Sequence, residues 1–412
     1  MRPAPAAALA AALAAIACAA TLPSLRVTGE FAGQRVDAAV DSEIARYYVE
    51  RHSRREPGDP RFDAALAAIE RGLGDRVPTT DELAQIARAH STDLAALIAA
   101  ERLHGRAQQD PLYRRFRRAL HSGATPLADD ILFLFVPGWL YRTDPTTGAD
   151  FAQFRKLLAD HGARTALIET GENATVEDNA VLIADSVRRI AAVERRIVLV
   201  SGSKGGPEVE LALGQLLDAP SARGVVAWVN IGGLLRGTPL ADFALSWPAR
   251  WLVRWTIVPD GSFEGIESLA PARSARRRQA LRLPAHVLTI NLVAIPLSGQ
   301  VSAPARSGYA RLRAHGPNDG LTFVTDAIAA GGVTIPVLGA DHYFRTPDIE
   351  AITLALARTL AEHVRDRAGT RHRSVLSREP QRDLKKESGG RSRPRVGTDE
   401  VFYFANRRYS GS

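Results

Sequence analysis

Ile197-Val198-Leu199-Val200-Ser201-Gly202-Ser203-Lys204-Gly205-Gly206-Pro207 is the stretch on which the fold turns. Its first four residues are apolar without interruption, the composition of a strand buried on both faces. Small residues then flank Ser203 at both two-residue offsets, Ser201 before and Gly205 after, and a helical stretch follows Pro207. A strand that turns so sharply into a helix crowds its own backbone, so it needs small neighbours and projects the serine hydroxyl. The helix N-terminus adds partial positive charge beside that hydroxyl. Working outward, Ile131 to Val136 and Thr165 to Ile168 are similar apolar runs, separated by amphipathic stretches from Ala149 to His161 and from Val176 to Val193. Downstream come Val225 to Val229, Val287 to Ile290 and Val333 to Leu338, then a helix from Asp348 to about Arg365. Continuous apolar strands alternating with helices predict a mainly parallel sheet covered on both faces, a three-layer α/β domain over residues 126–366.

The turn Ser201-Gly202-Ser203-Lys204-Gly205 resembles the G-x-S-x-G elbow of the α/β-hydrolase superfamily, with Ser201 in place of the first glycine. In that superfamily an acid and then a histidine follow the nucleophile, each after a later strand. Gly316-Pro317-Asn318-Asp319-Gly320-Leu321-Thr322 follows the run at Val287 to Ile290, and Gly339-Ala340-Asp341-His342-Tyr343-Phe344 follows the run ending at Leu338. The resemblance implies Ser203 as nucleophile, His342 as its base and Asp319 as the acid that orients the imidazole. His315 is the rival base and Asp341 the rival acid. It also implies an oxyanion hole built from the backbone N–H groups of Lys204 and Trp139. The latter lies in Val136-Pro137-Gly138-Trp139-Leu140-Tyr141, where Pro137 stands for the His of many members and Gly138 would border the substrate. Lys204 is one of only four lysines, and its side chain either meets an acidic substrate group or points away from the pocket.

Residues 232–283 form a long insertion between two strands, the place where superfamily members commonly carry a lid. Trp247, Trp251 and Trp255 recur there at four-residue spacing, which stacks them on one face of a helix. Such a stripe would line an apolar substrate pocket or pack the insertion onto the core. Arg273, Arg276, Arg277 and Arg278 would attract anionic groups or form a solvated face. The reaction implied is cleavage of a small-molecule or lipid carboxylic ester through an acyl-enzyme, with no cofactor and no metal. An amidase, a peptidase and a polyester depolymerase share the same triad, and a catalytically dead hydrolase fold serving as an envelope binding protein is the alternative from another class.

Both termini carry separate signals. Arg2 precedes an uncharged, Ala-rich run, so residues 1–19 read as an export signal. Ala17-Cys18-Ala19 fits ordinary cleavage after Ala19, and Ala15-Ile16-Ala17-Cys18 resembles a lipobox that would make Cys18 the lipidation site; an uncleaved anchor is a third reading. The protein is expected to be periplasmic, envelope-anchored or secreted, and its single cysteine excludes an intramolecular disulfide. Residues 20–125 are expected to be helical, from the three- and four-residue spacing of apolar positions between Ser42 and His121. That region includes an Arg-rich helix from Tyr113 to Leu120. The net charge of +8 sits mostly in the tail: Arg371 to Ser412 holds 11 Lys+Arg and 5 Asp+Glu. Residues 367–412 therefore read as a disordered basic extension that would adhere to an anionic envelope surface, and nucleic acid is not expected as a partner.

Overall fold

The computed structural model describes residues 25–53, 58–122, 127, 129–256 and 262–376. The segment expected to be an export signal, with Cys18, and the tail beyond residue 376 lie outside the described residues. Chain order begins with an antiparallel hairpin, β1 (Leu25–Phe31) and β2 (Gln34–Val40). This corrects the expectation of an all-helical region over 20–125. Val27, Phe31, Val36, Ala38 and Val40 alternate with open positions and share one buried face, the period of a strand. Five helices follow as expected: α1 (Glu43–Ser53), α2 (Pro60–Leu73), α3 (Thr80–Ala89), α4 (Thr92–Gln108) and α5 (Pro111–Leu120). Thr79 caps α3 in a reciprocal box with Glu82.

The α/β portion then alternates as its apolar runs predict. Strand β3 (Leu132–Val136) leads through α6 (Ala152–Asp160) to β4 (Arg164–Leu167) and through α7 (Val176–Ala191) to β5 (Ile197–Gly202). Helix α8 (Gly205–Leu211) leads to β6 (Val225–Ile231). After the insertion come β7 (Leu288–Ile295), a short helix α9 (Arg306–Leu312), β8 (Val333–Leu338) and α10 (Ile349–Leu376), which runs past the expected boundary at 366. The strand pairs of this six-stranded sheet are all parallel, in the order β4-β3-β5-β6-β7-β8. The order reverses between β3 and β5, and a crevice opens there at the carboxyl ends of the strands. One apolar cluster containing Phe133, Val198, Val229, Leu292 and Leu360 covers one face of the sheet; another with Leu134, Leu199, Trp228, Ile183 and Val209 covers the other. These are the three layers.

The N-terminal elements share a core with the sheet. Leu94, Leu97 and Ile98 of α4 cluster with Phe31, Val293 and Ile295, so the described residues from Leu25 to Asp366 fall into one compact unit. Asp93 pins this junction: it is buried and accepts from the Asp41 amide at 2.7 Å, the Ser298 amide at 2.8 Å and the Ser298 hydroxyl at 2.5 Å. The hairpin turn closes the sheet edge in a similar way. Gln34 Nε2 donates to the Pro336 carbonyl and its Oε1 accepts from the Leu338 amide, both at 3.1 Å. The Arg-rich helix α5 is tied down as well, Arg115 pairing with Asp366 at 2.7 Å and Arg117 donating to the Gly33 carbonyl at 2.8 Å.

Candidate active site

The elbow places Ser203 at φ +52°, a left-handed backbone rare for a side chain with a Cβ. Its neighbours show why the motif needs glycine at one offset and not at the other. A Cβ on Gly205 would sit 2.6 Å from the Pro137 carbonyl oxygen and 3.0 Å from that of Val136. The start of α8 thus packs directly on the backbone leaving β3. Ser201 faces no such crowding; its fully buried hydroxyl accepts from Trp228 Nε1 at 2.8 Å.

His342 and Asp319 meet across two loops. His342 Nδ1 lies 2.8 Å from Asp319 Oδ2, and the His342 amide donates to the Asp319 carbonyl at 2.8 Å. The other carboxylate oxygen, Oδ1, accepts from the Leu321 and Thr322 amides, each at 2.8 Å. Asp319 is therefore fixed by its own turn, with Gly320 at φ +104° supplying the bend. Gly232, at φ +53°, sits against this pair: a Cβ there would lie 3.7 Å from both Asp319 Oδ2 and His342 Nδ1. Burial disfavours the His342 imidazolium, but the charge of Asp319, its hydrogen bond and the charge of Asp341 outweigh it, so the pKa is raised above the ordinary histidine value. With Nδ1 engaged by the carboxylate, Nε2 is the nitrogen left to serve as a base.

Ser203 and His342 line one cavity of about 340 Å³, together with Gly138 and Trp139. The Lys204 and Trp139 amides donate to no backbone carbonyl among the described residues, as an oxyanion hole requires. A Cβ on Gly138 would come 3.2 Å from Ser203 Cβ, so the second loop approaches Ser203 closely because glycine is there. The rivals sit elsewhere. His315 is exposed and does not line the cavity. Asp341 accepts from the Ser302 amide at 2.7 Å and the Tyr343 amide at 3.0 Å, which shapes the base loop.

The insertion covers the cavity, contributing Leu234, Leu240, Ala241, Val253, Ile266 and Leu269. The expected tryptophan stripe does not. Trp247 is 86% and Trp251 68% exposed, and neither lines the cavity; the side chain of Trp255 lies outside the described residues. The reason is local: the helix Ala249–Thr256 starts only after Pro248, so Trp247 precedes it, and Val253 is the residue it turns inward. The arginines of the insertion neither face substrate nor form a purely solvated face. Arg277 pairs with Glu177 at 2.9 Å, and Arg278 reaches both oxygens of Glu210 at 2.6 Å, anchoring the insertion to α7 and α8.

Of the two placements open to its side chain, Lys204 takes the one away from the cavity. The partner that the motif does not reveal is Glu208, at 2.6 Å, their side chains 3% and 1% exposed. Asn230 and Asn291, buried in β6 and β7, bond each other at 3.1 Å and hold the carbonyls of Ala327 and Ala329, which carry the chain from the acid loop toward β8. A polar amide inside each of two apolar strands is the sequence signal that marks them.

No family model and no curated protein matches this chain. Among solved structures, it is similar to a metagenomic carboxyl esterase, MGS0156, at 27% identity and TM-score 0.46, over 58% of this chain and 77% of that one. It is also similar to the mature lipase BlEst2 of Bacillus licheniformis, at 23% identity and TM-score 0.43 over 54% and 87%, and to EstA of Clostridium botulinum, at 11% and 0.42 over 58% and 89%. These are partial likenesses of fold.

Proposed function

We propose that the protein is a serine hydrolase that cleaves a carboxylic ester through an acyl-enzyme. The observation that carries this is the 2.8 Å His342–Asp319 contact in the wall of an apolar cavity that Ser203 also lines from a left-handed turn. Ser203 Oγ attacks the ester carbonyl carbon while its proton passes to His342 Nε2, and Asp319 stabilises the imidazolium. The Lys204 and Trp139 amides receive the oxyanion. Collapse of the tetrahedral intermediate expels the alcohol, which takes the proton from His342; water then repeats the sequence on the acyl group. The apolar lining suits an apolar acyl or aryl substituent, and among the described residues no Asp, Glu, Lys or Arg borders the cavity.

The test is to treat purified protein with a fluorophosphonate probe and with short- and long-chain nitrophenyl esters, beside Ser203→Ala. Wild type should label and hydrolyse while the variant does neither. Equal labelling of the two would refute the assignment, and labelling without ester hydrolysis would shift it to an amide substrate. Export follows from the N-terminal signal as part of the same proposal, and mass spectrometry of the mature N-terminus distinguishes lipidated Cys18 from cleavage after Ala19.

A further inference from the structure

The ion pair beneath the elbow connects the two sides of the oxyanion hole. Lys204 Nζ and Asn179 Nδ2 both donate to one oxygen of Glu208, Oε1, at 2.6 and 2.7 Å. Asn179 also clasps Gly171, accepting from its amide and donating to its carbonyl, each at 2.9 Å. The loop containing Gly171 reaches the opposite side of the hole, where Asn173 Oδ1 accepts from Trp139 Nε1 at 3.3 Å and the Thr170 carbonyl accepts from the Tyr141 hydroxyl at 3.0 Å. We propose that Glu208 is a positioning residue: by gathering Lys204 and Asn179 on one carboxylate oxygen it holds residues 170–173, and through them Trp139, in register with the Lys204 amide. This rests on the reading of Ser203 as nucleophile.

Chemistry supports a geometric role over a stabilising one. A buried ion pair adds little stability over an apolar pair of similar volume, but it fixes the position of its members. Oε2 of Glu208 is buried without a hydrogen-bond partner, so the bonds that matter converge on Oε1 alone. A glutamine can offer that oxygen; a methionine cannot.

The experiment compares Glu208→Gln, Glu208→Met and the double variant Lys204→Met/Glu208→Met, which leaves no stranded charge. Active sites are titrated with a fluorophosphonate, and kcat and KM are measured on p-nitrophenyl butyrate. The affinity of butylboronic acid, whose serine adduct places an oxygen in the hole, is measured alongside. Both Met-containing variants should lose on the order of 10- to 100-fold in kcat per titrated site, with KM nearly constant and boronate affinity falling in parallel. The rate constant for fluorophosphonate labelling should fall by a similar factor, and Glu208→Gln should keep most of the wild-type rate. The proposal is overturned if Glu208→Gln falls as far as Glu208→Met, or if the double variant matches wild type in kcat and boronate affinity. Failure of the underlying reading looks different: wild type and Ser203→Ala would then label alike.

Discussion

Replacing Ser201 with alanine removes one hydroxyl from the start of the elbow and nothing else. In the native chain that oxygen is the acceptor of the Trp228 indole N–H at 2.8 Å, and both residues are fully buried. Alanine keeps the Cβ, so the backbone has no reason to move, and no water has room to replace the lost acceptor. The indole N–H is then left unsatisfied in the core, which costs about 1–3 kcal/mol. Urea unfolding should show a lower midpoint with an unchanged slope, the sign of lost stability without a change in the surface exposed. Because Ser201 does not line the cavity, kcat per titrated active site should stay close to wild type. Trp228→Phe loses the same bond together with indole volume, so the two changes must be combined. In the double variant the bond can be lost only once, and a coupling of about 1 kcal/mol or more is expected. A Ser201→Ala midpoint equal to wild type, or a coupling near zero, would refute the argument that this serine is retained for its hydrogen bond.

Asp319→Asn should lower kcat by about 10⁴-fold, because an amide no longer fixes the imidazole tautomer or stabilises its cation. The raised His342 pKa predicts an acid limb in kcat/KM above pH 6.5: activity falls as His342 is protonated, and a pH–rate profile should show the residual activity of Asp319→Asn with its limb shifted to lower pH. Gly205→Ala would set a Cβ 2.6 Å from the Pro137 oxygen; overpacking of this kind costs about 1–3 kcal/mol, and pushing back the loop that carries Trp139 should lower kcat more than it raises KM. At the N-terminal junction, burial and the neighbouring charge of Asp41 push the Asp93 carboxyl up to about 7. Its contribution to stability is complete below the unfolded value of about 3.9 and is lost as pH rises through about 7. Melting temperatures between pH 5 and 8 should therefore fall for wild type and fall less for Asp41→Asn; equal slopes would refute the coupling.

The strands of the sheet were legible because a parallel strand buried on both faces is mostly apolar: β3 throughout, β5 as far as Val200 and β6 as far as Val229 read as unbroken apolar runs. The elbow was legible for a steric reason, the glycine at 205, and the chain order singled out Asp319 and His342, which lie 2.8 Å apart in the folded chain. What stayed hidden depends on partners distant in sequence. The pairing of Arg277 and Arg278 with Glu177 and Glu210 requires the insertion to be folded back on α7 and α8. By contrast, the i, i+4 spacing of Lys204 and Glu208 was visible, and only their burial made it informative. The four-residue spacing of the tryptophans does not stack them because Trp247 precedes Pro248 and the helix begins only at Ala249. The hairpin at β1 and β2 was open to reading in its alternation, but helical spacing farther along the region dominated.

The Gln34 contact with β8 has a consequence for how this sheet ends. A terminal strand offers a row of free peptide groups to any second extended chain, and unprotected edges of this kind promote aggregation. Here a side-chain amide imitates a peptide group, occupying the Pro336 carbonyl and the Leu338 amide together. Pro336 itself has no N–H to offer. Strand addition along the carboxyl half of β8 is thus obstructed by a residue from the opposite end of the chain. The N-terminal hairpin guards one of the two edges of the sheet, the one formed by β8.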